Sequence, residues 1–153
     1  MKVIFLDIDG VLNCDRYLIV NKCRGIGMDP TRILLVADIV RASGAKIVLT
    51  TSWRAHWSKD PCECDAMGRE INEAFAAQGL SVYGKTPRLG YNREEEIKAW
   101  LEENPEVTRF VIIDDMWLQD DELDDYFIRT SGYRGGLCED EALAAIEILG
   151  GRI

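Results

Sequence analysis

The chain has 153 residues, a hydrophobic content of 47% and a formal net charge of −9. This length fits one domain, and the hydrophobic content supports a packed core rather than a disordered chain. The negative charge disfavours non-specific attraction to nucleic acids and to anionic membranes. No apolar run approaches the roughly 20 residues that span a bilayer, and the N-terminal apolar stretch is too short for a secretory signal. We therefore expect one soluble, cytoplasmic domain over residues 1–153.

The first predicted element is a strand at Val3–Leu6, a short unbroken apolar run with β-branched and aromatic members. Such runs are typical of strands that are buried on both faces of a sheet. Residues 13–28 follow as an insert, within which Tyr17–Val20 indicates a short hairpin. The insert is too short to fold as a cap domain, so we expect a small flap.

The next segments alternate between helix and strand. Asp29 supplies an N-cap and Pro30 the first helical position, and Gly44 ends this predicted helix. Ile47–Leu49 repeats the pattern of a buried strand, and the apolar spacing of residues 65–78 predicts a second helix.

The second half of the chain continues the alternation with a weak strand, a helix, two strands and a last helix: Leu80–Tyr83, a helix that begins at Asn92, Phe110–Ile113, Tyr126–Arg129 and Glu139–Leu149. After Asn92, Glu95 is placed for a capping box. In the last helix we expect Leu143 and Ile146 to face the core. The repeated alternation favours an α/β fold with a central parallel sheet of about five strands and helices on both faces.

Polar residues follow three of the predicted strands at their carboxyl ends: Asp7, Asp9 and Gly10 after the first, Thr50, Thr51 and Ser52 after the second, and Asp114 and Asp115 after the fourth. In an open parallel sheet these ends line one crevice. Carboxylates crowded there repel one another, and a hard divalent cation such as Mg²⁺ relieves that repulsion. One aspartate can then attack phosphorus while another transfers protons. Alternatively, each aspartate merely caps the turn that follows its strand.

The segment Phe5–Leu12 resembles the first motif, DxDG, of the haloacid dehalogenase (HAD) superfamily. Ile47–Thr50 resembles the second motif and Val111–Asp115 the fourth, in the family's order. The resemblance implies a three-layer, Rossmann-like HAD fold with a flap and no cap, and the activity of a phosphatase.

The resemblance also implies roles for the acids. Asp7 would be the nucleophile that forms an aspartyl-phosphate, and Asp9 the general acid and base. Branches of the family that act on halides and phosphonates lack an acid at the position of Asp9, so its presence indicates a phosphate ester as substrate. Mg²⁺ would be held by the Asp7 carboxylate, the Asp9 backbone carbonyl and Asp114, and Asp115 would assist through water.

Two further motif positions leave alternatives open. Thr50 would bind a phosphoryl oxygen, with the adjacent Thr51 as the competing choice. For the basic residue of the third motif, Arg93 is preferred, although the family usually has lysine there. Lys85, in the preceding loop, and Lys98, deeper in the helix, are its rivals.

The stretches DIDGVLN, VLTTSWR and NREEEIKAWL are similar to HAD domains of bacterial and phage RNA-repair proteins. This similarity implies removal of a terminal phosphate from a polynucleotide. A nucleotidase or a small-metabolite phosphatase is the alternative, and a catalytically idle binding module is a second one. The phosphorylated substrate is the only partner that the sequence indicates, and a membrane is not expected.

The residues after the second motif are expected at the rim of the crevice, where Ser52, Trp53 and Arg54 would contact substrate together with Gly10. Aromatic and arginine side chains there could stack on bases. Alternatively, Trp53 and the nearby Trp57 pack the base of a loop. The five cysteines are expected to be reduced, because their number is odd and no zinc-finger spacing accompanies them.

Overall fold

The computed structural model describes residues 1–153. Its five strands form one parallel sheet, in the order β3-β2-β1-β4-β5, with the bounds β1 Lys2–Leu6, β2 Lys46–Leu49, β3 Val82–Lys85, β4 Arg109–Asp114 and β5 Phe127–Arg129. The strand order reverses between β1 and β4, which is where open α/β sheets bind ligands. The predicted parallel sheet of five strands is confirmed.

Five helices accompany the sheet: α1 Asp15–Val20, α2 Pro30–Ser43, α3 Ala66–Ala76, α4 Arg93–Glu103 and α5 Glu139–Ile148. Helices α2, α3 and α5 share one hydrophobic core with one face of the sheet, and α4 covers the other face. The buried residues of β1 divide accordingly: Ile4 and Leu6 face the larger core, and Val3 and Phe5 face α4. This division follows from the alternation of side chains along a strand.

Most predicted helix ends are confirmed by capping contacts. The Asp29 side chain accepts a hydrogen bond from the Thr31 amide at 2.9 Å, and Gly44 has a left-handed backbone after α2. Asn92 accepts from the Glu95 amide at 3.2 Å, but Glu95 returns no bond, so this half of the predicted capping box is wrong. At the start of α5, by contrast, the Cys138 amide donates to Glu141 Oε2 at 2.8 Å, which is the half of a capping box that Glu95 lacks.

The predicted hairpin at Tyr17–Val20 is wrong, because this segment belongs to helix α1. Its β-branched and aromatic residues favour a strand locally, but Cys14 caps the helix by accepting from the Tyr17 amide. The Tyr17 hydroxyl then donates to the Met28 carbonyl at 3.3 Å and fastens the helix to the end of the insert. Tertiary contacts therefore override the local preference.

The insert at residues 13–28 is held to the body of the protein at its base. Both carboxylate oxygens of Glu70, on α3, accept backbone hydrogen bonds at 2.9 Å, from Ile26 and Gly27. The insert contains α1 alone, so it forms a flap beside the sheet rather than a cap. No helix of the protein is both long and apolar enough to cross a membrane.

Leu143 does not face the core as expected, since 46% of its surface is exposed. The buried positions of α5 are Ala142, Ala145 and Ile146, followed by Leu149. Their spacing of three and four residues fits one helical face, and Leu143 lies outside it.

Candidate active site

Three carboxylates meet at the carboxyl ends of β1 and β4. Ligand oxygens of Asp7, Asp114 and Asp115 all lie within 4.8 Å of one another. The register of the sheet causes this proximity, because Leu6 pairs with Ile113 and the Asp7 amide donates to the Ile113 carbonyl at 3.1 Å. Asp7 and Asp114 are buried. The structure thus brings together three of the four acids that the sequence singled out as metal ligands.

Arg93 is the basic residue that reaches this cluster. It is the first residue of α4, and its Nη1 atom lies 3.3 Å from Asp7 Oδ2 and forms a short ion pair with Asp114 Oδ2. The rival lysines lie elsewhere. Lys85 donates to the carbonyls of the Ser52–Trp57 loop, and Lys98 pairs with Asp120 at 2.6 Å on the surface. Of the three candidates, only Arg93 contacts the carboxylate cluster.

The cluster is electrostatically crowded. Burial, and then the negative charge of Asp114, raise the pKa of Asp7 from 3.8 to about 7, although Arg93 opposes the shift. Burial and Asp114 also raise the pKa of Asp115. Burial lowers the pKa of Arg93, but Asp7 and Asp114 outweigh it and the net shift is upward. With all three acids ionised, one arginine leaves an excess of negative charge that a divalent cation would neutralise.

Gly10 is required by the packing of the loop after β1. Its φ angle is +78°, a conformation that favours glycine, and an added Cβ would lie 2.2 Å from Asp115 Oδ2. The Gly10 carbonyl also accepts from the Thr130 hydroxyl at 2.8 Å. A side chain at position 10 would therefore displace Asp115, which explains the glycine without a role in substrate contact.

The two threonines after β2 differ in their bonding. Thr51 Oγ1 accepts from the Trp53 amide at 3.3 Å and caps the following turn. Thr50 is fully buried, and its Oγ1 atom has no hydrogen-bond partner. A buried hydroxyl without a partner is unfavourable, so Thr50 is the better of the two candidates for a group that becomes paired only when ligand is bound.

Asp9 lies apart from the carboxylate cluster and is exposed. Its Oδ2 accepts from the Trp53 indole Nε1 at 2.9 Å, and its Oδ1 accepts from Asn13 Nδ2 at 3.2 Å. Asn13 is itself buried and is fixed by two further bonds, from the Gly10 amide at 3.1 Å and to the Gly27 carbonyl at 2.8 Å. The Asp9 carboxylate is thus held in one orientation by two neutral donors.

Sequence reasoning missed Asn13, which lies four residues after Asp9 in the segment that reads DGVLN. An asparagine at the end of an apolar pair usually indicates a turn. The Asn13 side chain binds backbone groups within its own loop and also donates to Asp9. No sequence pattern distinguishes a structural asparagine from one that contacts a site residue.

Arg54 is not a rim residue, and this prediction is corrected. It is buried, and its guanidinium pairs with Glu96 at 2.8 Å, with both side chains about 5% exposed. Its remaining donors bind backbone carbonyls of two loops, namely those of Thr50, Thr51, Thr86 and Pro87. All five N–H groups of the guanidinium are used, so Arg54 holds these loops together and has no free N–H group to offer a substrate.

The other residues of this loop divide between surface and support. Ser52 is exposed at the edge of the crevice. Trp57 is buried and donates from its indole to Asn72 Oδ1 at 2.9 Å, as expected for a residue at the base of a loop. The five cysteines are all free thiols, and only the cluster at Asp7 groups three potential metal ligands.

The crevice at the strand reversal, with its paired acids on β1 and β4, is that of a HAD-type hydrolase domain. The comparison with protein families gives the particular family: the model for the HAD domain in Swiss Army Knife RNA repair proteins matches residues 3–142. The chain belongs to this family. No curated protein and no solved structure matches the chain.

The elevated pKa of Asp7 predicts how stability depends on pH. Between about pH 4 and pH 7 the unfolded chain releases a proton that the native Asp7 keeps, so the metal-free protein should lose stability as the pH rises through this window. We expect Mg²⁺ to raise the melting temperature by several degrees at pH 8 and much less at pH 5, because the cation binds ionised carboxylates. Calorimetry in chelator and in excess Mg²⁺ measures both effects.

Two variants serve as controls for this measurement. Asp7→Asn should remove both the loss of stability and most of the response to Mg²⁺. Asp121→Asn, at an exposed position of the acidic surface segment 120–125, should keep both. A Mg²⁺ response that is equal at the two pH values, or undiminished in Asp7→Asn, would contradict the assignment of the cluster as a cation site.

The burial of Arg54 predicts a structural defect. Arg54→Met leaves the Glu96 carboxylate buried without its partner, which typically costs about 3–5 kcal/mol. For a chain of this size, we expect a drop in melting temperature of about 10 °C. Arg41→Met, which breaks the exposed pair with Asp38, should cost less than about 1 kcal/mol. If Arg54→Met kept its stability but bound substrate more weakly, Arg54 would instead be a residue that contacts substrate at the rim of the crevice.

Proposed function

We propose that the protein is a Mg²⁺-dependent phosphomonoester hydrolase that works through an aspartyl-phosphate on Asp7. The observation that carries this proposal is that Asp7 and Asp9 lie in different surroundings. Asp7 lies in a buried cluster with Asp114 and Asp115, beside Arg93, while Asp9 is exposed and separately oriented. Two carboxylates in such different surroundings are suited to different chemical roles.

In the first step, the Asp7 carboxylate attacks phosphorus and the bond from phosphorus to the leaving oxygen breaks. Asp9 donates its proton to that oxygen. In the second step, Asp9 takes a proton from a water molecule, which attacks phosphorus and releases phosphate from Asp7. Arg93, already 3.3 Å from Asp7, offsets negative charge on the phosphoryl oxygens, and the Thr50 hydroxyl gains a partner.

The residues present fit a Mg²⁺ ion. The carboxylates of Asp7, Asp114 and Asp115 offer hard oxygen ligands within 4.8 Å of one another, and the Asp9 carbonyl is the fourth candidate. The ion would supply charge neutralisation between the nucleophile and the phosphoryl group. The unpartnered Thr50 hydroxyl and the elevated pKa of Asp7 both indicate a site that is balanced only when ligands are present.

For the substrate, we propose a terminal phosphate on a polynucleotide, which is what membership of an RNA-repair family supports. The alternative is a nucleotide or a small metabolite, which the net charge of −9 favours over a long polyanion. A catalytically idle module is disfavoured, because a binding role would not need a buried group of mutually repelling acids.

The decisive experiment separates the two carboxylates. Asp7→Asn should lower turnover of any phosphomonoester by about 10³-fold or more, since no nucleophile remains. Asp9→Asn should behave differently with an aryl phosphate whose leaving group needs no proton. It should release about one phenolate per active site in a rapid burst and then turn over slowly, because the phosphorylated Asp7 accumulates. Stopped-flow absorbance measures the burst.

Intact-protein mass spectrometry of acid-quenched Asp9→Asn would then detect the added phosphoryl group. A burst in Asp7→Asn, or full steady-state activity in excess chelator, would refute the proposed mechanism. If no phosphate is released from any oligonucleotide, nucleotide or aryl phosphate by the unmodified protein, the idle module becomes the better interpretation.

The indole of Trp53 should matter through Asp9. Trp53→Phe keeps an aromatic ring but removes the N–H that binds Asp9 Oδ2 at 2.9 Å. We expect kcat to fall about tenfold for alkyl phosphates, which need a proton on the leaving oxygen, and to fall less for aryl phosphates with good leaving groups. Trp57→Phe, whose indole binds Asn72, should show no such dependence on the leaving group. If Trp53 instead stacks on a base, Trp53→Phe should keep its activity and Trp53→Ala should raise KM for oligonucleotides only.

A further inference from the structure

Two clefts open from the site, and they differ in the residues that reach them. The smaller, of about 250 Å³, is lined by Arg93 and Ser52 together with the exposed Tyr91. The larger, of about 950 Å³, begins at Asp9 and extends between the flap helix α1 and the turn Gly132–Arg134. Asp9 and Asp115 line the larger cleft and not the smaller one, whereas Arg93 lines the smaller cleft and not the larger one.

The different lining of the two clefts implies an orientation for a bound substrate. Under the proposed function, Arg93 contacts the phosphoryl oxygens and Asp9 gives its proton to the leaving oxygen. The atoms attached to the leaving oxygen must therefore extend from Asp9 into the larger cleft. Its volume is at the upper end of the range for small-molecule sites, so it is large enough for a sugar and a base.

We propose that the larger cleft holds the terminal nucleoside of the substrate, with its base stacked on the ring of Tyr133. Tyr133 lines the cleft and is fully exposed. An exposed aromatic face of this kind can stack on a base and accepts any of the bases. The proposal rests on the proposed function, because the direction of the leaving group follows from the role of Asp9.

The turn that carries Tyr133 is fixed directly to the loop after β1. Ser131 Oγ accepts from the Tyr133 amide at 3.2 Å, and the Leu137 amide donates to the Val11 carbonyl at 2.8 Å. Gly136 has a φ angle of +102°, and an added Cβ would lie only 2.4 Å from the Val11 carbonyl oxygen. The backbone of Tyr133 is therefore carried by a turn that is fixed to the loop after β1, so less backbone order has to be gained when a base stacks on the exposed ring.

The charges of the cleft favour a nucleoside over a chain of phosphates. Its arginines are largely neutralised: Arg32 lies 3.8 Å from Asp29, and Arg134 pairs with Asp140 at 2.9 Å. Arg16, exposed on α1, is the cation of the cleft that has no carboxylate partner. The cleft thus suits an uncharged sugar and base, with Arg16 available for one adjoining phosphodiester.

The test compares substrates with and without a base. We would measure kcat/KM for ribose 5-phosphate, for adenosine 5′-monophosphate and for a 3′-phosphorylated oligonucleotide. Tyr133→Ala should lower kcat/KM by about tenfold for the two base-bearing substrates and leave ribose 5-phosphate unchanged. Tyr133→Phe, which keeps the aromatic face, should retain the activity of the unmodified protein. Tyr91→Ala is the matched control, because Tyr91 is 91% exposed but lines the other cleft.

A second measurement decides the inference if turnover fails. Binding of adenosine 5′-monophosphate to the inert Asp7→Asn variant, measured by calorimetry, should weaken about tenfold when Tyr133→Ala is added. Loss on Tyr91→Ala with no effect of Tyr133→Ala would overturn the proposal and place the base in the smaller cleft. Equal losses for ribose 5-phosphate and base-bearing substrates, or no binding of the nucleotide at all, would also overturn it. Absence of turnover with Tyr133-dependent binding would instead count against the proposed hydrolase while supporting the nucleoside site.

Discussion

Mutual repulsion among the carboxylates of Asp7, Asp114 and Asp115 is the constraint on which the rest of the site depends. Parallel pairing of β1 and β4 forces these side chains together at the reversal of the sheet, and burial of Asp7 and Asp114 strengthens the repulsion. Arg93 is the one cation in contact with them. Such an arrangement costs stability, and arrangements of this kind are common at active sites.

Helix α4 connects the carboxylate cluster to the buried ion pair of Glu96 and Arg54. Arg93, at the start of the helix, reaches the carboxylates, and Glu96, one turn later, binds the buried Arg54. Glu96 also accepts from the Leu89 amide at 2.8 Å, while Arg54 holds the carbonyl of Thr50 at 2.8 Å. Two successive turns of one helix therefore fix the basic residue of the site and the loop that follows β2. The buried ion pair between Glu96 and Arg54 therefore holds the turn of α4 that follows Arg93.

The strands, their order of occurrence and the acids that follow them could be predicted, because buried parallel strands leave continuous apolar runs that end where the crevice begins. The placement of Arg54 could not, since an arginine after a strand reads as a surface residue until the fold supplies Glu96 and four carbonyls. Tyr17–Val20 has the composition of a strand, and only its contacts with the rest of the insert make it helical. Leu143 is a similar case, because the apolar spacing of a short helix does not by itself show which of its faces packs against the core.

The loop after β1 is completed by residues from the far end of the chain. The Gly10 carbonyl accepts from the Thr130 hydroxyl, 120 positions later, and the Val11 carbonyl accepts from the Leu137 amide. Contacts of such long sequence separation form late in folding, because the chain entropy of closing the loop must be overcome first. During synthesis, the loop after β1 therefore emerges long before the segment with Thr130 and Leu137 that shapes it. A chain that is cut before Thr130 would therefore keep Asp7 and Asp9 but lack the two contacts that set the geometry of their loop.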